Sequence, residues 1–218
     1  MKIEHQAVLF DLDGTLLDTL QDLADGVNQG LISLGQPTHD LEAFKYFVGE
    51  GREEMVTKAL PPARRNPEMV RKMVDFVNAY YGQHWRDHTR PYPGIPDLLD
   101  KLVARGVKMT IFSNKPQEFT TQNVDGLLSK WQFDRVLGAS ESVPKKPDCT
   151  AALRIAAELG LKPSDFLYLG DSGIDMQTAN RSGMYAVGAL WGFRTRRELL
   201  ENGARAVIEK PLELLVLL

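Results

Sequence analysis

Short apolar runs alternate along this chain with stretches of helical spacing. Ala7 to Phe10, Val107 to Phe112, Arg135 to Leu137, Phe166 to Leu169, Tyr185 to Ala189 and Ala206 to Ile208 are brief and mostly apolar, and read as buried strands. Between them, Ile95, Leu98, Leu99, Leu102 and Val103 share one helical face; Leu153, Ala156, Ala157 and Gly160 do so less regularly. Strand–helix alternation of this kind predicts a parallel sheet covered on both faces, an α/β Rossmann-like core.

The alternation lapses once. From Asp18 to Arg90 no strand pattern emerges, only amphipathic helices. The first carries Leu20, Leu23, Ala24, Val27, Leu31 and Leu34 at i, i+3, i+4 spacing, and Gly35 with Pro37 stops it. A later one, roughly Pro67 to Trp85, carries Met69, Met73, Phe76, Val77 and Tyr80. Both stripes predict the core of a helical bundle, and Pro91-Tyr92-Pro93-Gly94 is a stiff turn suited to re-entry into the main body. The expected division is therefore a core of residues 1–17 and 91–218, with an all-helical cap inserted at 18–90.

Composition adds exclusions. With 218 residues, 43% of them hydrophobic, the chain can bury a full core and a smaller second one. The net charge is -3 and Lys and Arg are scattered, so no basic face for nucleic acid is expected. The single cysteine, Cys149, excludes an intrachain disulfide, fits a reducing compartment and has no identified activating partner. Met1 to His5 opens no apolar segment of signal-peptide length, and Leu212 to Leu218 is too short to span a bilayer. A soluble, cytoplasmic protein without a membrane partner is expected; monomer and homodimer are both open.

The chemistry concentrates at strand ends. V-L-F-D-L-D-G-T places Asp11 at the end of the first strand and Asp13 two residues on, where Gly14 lets the chain turn. Phe166 to Leu169 ends in Gly170-Asp171-Ser172-Gly173-Ile174-Asp175, Val107 to Phe112 in Ser113-Asn114-Lys115, and Val136-Leu137 leads to Lys145-Lys146-Pro147. Ligands of open parallel sheets bind at the carboxyl ends of the strands. If these strands are neighbours, four aspartates, a hydroxyl and a lysine converge. So many carboxylates repel unless some protonate or a cation joins them. A hard cation such as Mg²⁺ takes a few carboxylates together with a substrate phosphate. Lysine and backbone N–H groups would complete a phosphoryl site. One aspartate would then be a nucleophile and the other a proton carrier.

Blander readings exist for each piece. A lone Asp after a strand is ordinarily a turn former or a helix cap. D-x-D-G lacks the remaining ligands of a calcium loop, and Gly170-Asp171-Ser172-Gly173 lacks the G-x-S-x-G spacing of a serine hydrolase. Chance explains one such motif more easily than four strand ends that agree.

Together, Asp11-Leu12-Asp13-Gly14-Thr15, Ser113-Asn114, Lys146-Pro147 and Gly170-Asp171-x-x-x-Asp175 resemble the four ordered motifs of the haloacid dehalogenase-like hydrolase superfamily. By that resemblance Asp11 is the nucleophile that forms an aspartyl-phosphate, and Asp13 the acid–base residue. The carboxylates of Asp11 and Asp171 and the carbonyl of Asp13 are implied as Mg²⁺ ligands, with Asp175 holding the metal directly or through water. Ser113, Asn114 and Lys146 are implied at the phosphoryl oxygens. The carboxylate of Asp13 argues against dehalogenation, which needs no leaving-group proton, and Thr15 favours a phosphatase over a phosphoglucomutase-type enzyme.

Within the phosphatases the chain is most similar to the phosphoglycolate phosphatase group, through Asp11 to Thr19, Phe47-Val48-Gly49-Glu50-Gly51, Ser113-Asn114-Lys115-Pro116 and Trp191-Gly192-Phe193. A small phosphorylated metabolite is the implied partner; a nucleotidase or an inorganic pyrophosphatase of similar architecture is the alternative, and a mutase a further one. Two departures from the family's pattern, Cys149 in place of a common proline and Ser113 in place of a common threonine, remove no required chemical group. Arg52, in the cap loop that faces the site in this family, and Lys115 on the core side are the residues expected to hold the leaving portion. Trp191 and Arg194 read as packing and surface residues.

Overall fold

The computed structural model describes residues 5–218; Met1–Glu4, where no leader is expected, lie outside them. Six strands form one parallel sheet: β1 (Ala7–Phe10), β4 (Lys108–Pro116), β5 (Arg135–Ala139), β6 (Phe166–Gly170), β7 (Tyr185–Ala189) and β8 (Ala206–Ile208), in the order β5-β4-β1-β6-β7-β8. β1 lies between β4 and β6, and all four of its residues are inaccessible to solvent. Burial on both faces is why these strands read as continuous apolar runs rather than alternating ones. Val8 and Phe10 point into one core with α5 (Ile95–Ala104). Ala7 and Leu9 point into the other with α7 (Thr150–Glu158) and α8 (Gly173–Ser182).

A helical insertion stands over the carboxyl edge of this sheet. It comprises α1 (Leu20–Ser33), α2 (Leu41–Phe47), α3 (Arg52–Ala59) and α4 (Pro67–His84), and the helices build a second apolar core that Phe119 and Phe193 of the main body complete. Asp40 and Asn66 cap α2 and α4 through backbone N–H groups two residues into each helix, at Ala43 and Met69. At its base, β2 (Leu17–Asp18) pairs antiparallel with β3 (Arg90–Pro91), so the chain enters and leaves through one two-stranded ribbon. Asp22 on α1 fastens the return: its carboxylate accepts the backbone N–H groups of His88 and Thr89 and the Thr89 hydroxyl. Among the described residues no helix is long and apolar enough to cross a membrane.

Several sequence expectations shift in register. On α4 the buried residues are Val70, Met73, Val77 and Tyr81, while Phe76 is 37% exposed. On α7 they are Ala151, Ala152, Ile155 and Ala156, leaving Leu153 outward; Val103 on α5 is likewise exposed. The residue at the edge of a wide apolar stripe is the one periodicity places least well. β4 runs past Phe112 to Pro116 with an irregular register, so Ser113 to Lys115 lie within it rather than beyond it.

Candidate active site

The site is built from the sheet's central strand outward. Leaving β1, Asp11 donates its N–H to the Leu169 carbonyl at 2.9 Å, and the chain wraps so that the N–H groups of Leu16 and Leu17 reach the Leu12 carbonyl at 3.0 Å. The wrap needs Gly14. Its φ is +83°, and a Cβ there would overlap the Asp171 carboxylate and crowd the Phe193 ring. The tight turn sets Asp11 and Asp13 facing the cavity from one loop.

Across the sheet edge, β6 delivers Asp171. Its Oδ2 accepts the Phe193 N–H at 2.7 Å, and its Oδ1 lies 3.4 Å from the Thr15 hydroxyl. Asp175 sits one turn into α8 in a capping box with Ser172. Its Oδ2 accepts the Ser172 hydroxyl at 2.6 Å and its Oδ1 the Lys146 ammonium at 2.7 Å. The same ammonium reaches Asp11 Oδ1 at 2.8 Å. On the other side, Lys115 Nζ lies 2.9 and 3.2 Å from the two oxygens of Asp13.

Burial decides the electrostatics. Desolvation, with Asp175 and Asp171 nearby, raises the Asp11 carboxyl well above the ordinary carboxylate range, against the pull of Lys146. Asp171 is pushed up to about 7 by burial and then by Asp175. Lys146 is raised well above the usual range: desolvation lowers it, but Asp11 and Asp175 together outweigh that. One lysine is thus held between two carboxylates while a third carboxylate, Asp171, has no cationic hydrogen-bond partner among the described residues. Oxygens of Asp11, Asp171 and Asp175 all lie within 4.8 Å of one another. An all-oxygen, negatively charged set fits a hard divalent cation, which would relieve the crowding that pushes Asp171 and Asp11 upward.

The residues expected from sequence fall at different depths. Asp11, Asp13, Ser113, Lys115, Asp171 and Arg52 line one cavity of about 40 Å³ between the sheet edge and the insertion. Lys146 and Asp175 stand behind Asp11, buried. Asn114 also faces the cavity, but its side chain is spent on protein partners. It donates to the carbonyls of Gly49 (3.0 Å) and Lys146 (3.2 Å) and accepts the Lys146 N–H (2.7 Å). It fastens the cap loop and Lys146 to β4.

Arg52 opens α3 at 7% exposure, its guanidinium 4.8 Å from the Tyr81 ring centre and 5.1 Å from that of Phe119. Neither terminal nitrogen has a hydrogen-bond partner among the described residues. Burial lowers its pKa.

Sequence reasoning missed two parts of the site. The Phe193 N–H, which fixes Asp171, carries no side-chain signal. Arg194 is no surface residue: its side chain is 9% exposed and lines the cavity. Trp191 packs as expected and donates its indole N–H to the Thr15 carbonyl at 2.9 Å, steadying the Asp11 loop.

The profile of the family described as haloacid dehalogenase-like hydrolase matches residues 8–189. A phosphoglycolate phosphatase of Pseudomonas putida is 33% identical over 207 residues, covering 93% of this chain and 75% of that one. Another from Thiobacillus denitrificans is 30% identical over 206 residues, covering 93% and 91%. A crystal structure from Lactobacillus delbrueckii subsp. bulgaricus, of a proposed phosphoglycolate phosphatase, superimposes with a TM-score of 0.91 at 30% identity over 99% of both chains. The chain belongs to the haloacid dehalogenase-like hydrolases, and to the phosphatases among them.

Proposed function

We propose that this protein is a Mg²⁺-dependent phosphatase of a small phosphomonoester, with 2-phosphoglycolate the leading substrate and the cytoplasm its place of work. The observation that carries the substrate reading is the buried Arg52 guanidinium, whose terminal nitrogens have no hydrogen-bond partner among the described residues and which lines one cavity with Asp11. A buried guanidinium stays charged and calls for an anion. The phosphoryl group belongs at Asp11, so the anion facing Arg52 lies in the leaving portion. Relatives that carry the name phosphoglycolate phosphatase act on a substrate of this kind, a carboxylate one carbon from the ester oxygen.

In this reading residues 18–90 are a mobile cap, and residues 5–17 and 91–218 the core. Asp11 attacks phosphorus through the oxygen not held by Lys146, giving an aspartyl-phosphate and splitting one hard step into two. Asp13 protonates the departing alkoxide and then takes the proton of the hydrolytic water. Lys115 holds the ionised Asp13 carboxylate, the form that takes the proton of the water. Ser113 and Lys146 meet the phosphoryl oxygens; Asn114 sets the position of Lys146. Mg²⁺ would be held by the carboxylates of Asp11 and Asp171 and the carbonyl of Asp13. Asp175, whose oxygens are already engaged by Lys146 and Ser172, acts through water. When bound, the ion would screen the carboxylates and polarise a phosphoryl oxygen.

The test is phosphate release from a panel of phosphate esters, nucleotides and pyrophosphate, with and without Mg²⁺. Phosphoglycolate is expected to lead, EDTA to silence the enzyme and Mg²⁺ to restore it. Asp11→Asn should stay folded and inactive. Turnover by a verified Asp11→Asn preparation, or full activity without metal, refutes the mechanism.

A further inference from the structure

We propose that Arg194, from the core side of the cavity, is a specificity-determining residue that binds the anionic group of the leaving portion jointly with Arg52. The inference rests on the substrate reading above and deepens it.

Arg194 lies between β7 and α9 (Arg196–Glu201). Its donors are divided. Nε faces Glu198 Oε1 at 3.3 Å, and the same oxygen accepts the Gly173 N–H, tying the arginine's stem to the start of α8. Nη2 donates to the Val48 carbonyl of the cap loop at 3.0 Å, with the guanidinium 5.3 Å from the Tyr46 ring centre. Nη1 is buried with no partner among the described residues. A fastening of cap to core accounts for Nε and Nη2 and leaves Nη1 without a purpose.

Arg52 has both terminal nitrogens in the same condition, and both arginines line the same cavity. An arginine cannot relieve its burial by deprotonating, so these nitrogens need acceptors. The cavity's own carboxylates are otherwise committed: Asp11 holds Lys146 with one oxygen and turns the other to the phosphoryl group, Asp13 is held by Lys115, and Asp171 by the Phe193 N–H beside the metal position. The acceptor must therefore arrive with the ligand. Since the phosphoryl group is met at the Asp11 end, what remains is a second anion, set between one guanidinium of the insertion and one of the core. Because Arg194 also holds the Val48 carbonyl, one side chain grips the ligand and the cap loop together. The substrate class that follows is a phosphomonoester with a carboxylate close to its ester oxygen. An uncharged leaving group would leave Nη1 buried and unpaired, a strong ground for rejection.

The experiment compares 2-phosphoglycolate with its uncharged amide on wild type, Arg194→Met and Arg194→Lys, each with Mg²⁺ and each checked for its melting temperature. Wild type should prefer the acid. Arg194→Met should lose about 30-fold or more in kcat/KM on the acid, mostly through KM, and far less on the amide, as for truncation of a buried charged contact. Arg194→Lys, which restores the charge without the fork, should recover part of the preference. A wild type that does not distinguish acid from amide brings down the substrate reading and this inference with it. If wild type prefers the acid and Arg194→Met keeps that preference, whether by losing equally on both or by losing nothing, the reading stands and this inference fails. Should Arg194→Met fail to fold, an Arg194→Lys enzyme with an undiminished acid preference at unchanged KM overturns it as well.

Discussion

Asp171 carries a pH dependence whose sign can be worked out. Burial raises it from 3.8 to about 7, so between those values the folded protein binds more protons than the unfolded chain. Stability then falls as pH rises through that window, the reverse of a salt-bridged carboxylate. Asp11 is displaced in the same direction, while the raised Lys146 exerts its effect only above the ordinary lysine range. Metal-free protein should therefore melt lower at pH 7.5 than at pH 5.5. Binding of Mg²⁺ should tighten over that interval and release protons, which calorimetry in buffers of different ionisation enthalpy would measure. A flat profile with no proton release would remove Asp171 from the metal site. Arg52 makes a second prediction at this scale. Arg52→Ala should lose about 2 to 4 kcal/mol of transition-state binding for phosphoglycolate and much less for p-nitrophenyl phosphate, read as the ratio of kcat/KM values. Equal losses would place Arg52 at the phosphoryl group or in the fold.

Among the elements, legibility followed burial. The central strands β1 and β6 stood out because two covered faces leave them wholly apolar runs, and Asp11 and Asp171 were conspicuous as charges at the ends of those runs. β2 and β3, at two residues each, are too short to show any period. On α4, Phe76 and Tyr80 read as core beside Val77 because they border the face packed on α1, where Gly26 and Gly30 leave room for their rings. Arg194 was invisible for another reason: its decisive partner is a backbone carbonyl 146 positions away. The Asp22 network, also unseen, links α1 to the return strand and predicts a cost. Asp22→Ala leaves two backbone N–H groups and a buried hydroxyl without their acceptor, at about 3 kcal/mol. A fall in Tm of roughly 6–12 °C should follow for a chain of this length. An unchanged Tm would mean that the return strand is held by packing alone.

For the molecule as a whole, few hydrogen bonds join the insertion to the core, and Phe119 and Phe193 of the core pack into the insertion's apolar cluster. The Asn114–Gly49 and Arg194–Val48 hydrogen bonds, and the Tyr81 hydroxyl on Asn123 of α6 (Gln117–Leu127), cross between insertion and core. A junction with few bonds can open for a ligand and close on it, as lids over reacting groups do. Small-angle scattering should show a smaller radius of gyration with Mg²⁺ and beryllium fluoride, which mimics the phosphoryl group on Asp11, than without them. An identical radius in both conditions would argue for a rigid cap.

The ribbon of β2 and β3 has a consequence of another kind. Because the chain departs for the insertion and returns from it on paired strands, the path through the core is interrupted by a gap only one strand spacing wide. The strand order of the sheet is set by pairings among core residues alone, while the site touches the insertion at Asn114 and at Lys115, whose ammonium lies 4.6 Å from the Tyr81 ring centre. On the proposed reading the molecule divides into a reaction centre and a reader. A different helical segment with matching ends could be spliced at the same two strands, and new leaving groups recruited, while Asp11, Lys146 and Asp171 keep their places. Arg194 would be the exception, a piece of the reader lodged in the reaction centre, and any such exchange would have to accommodate it.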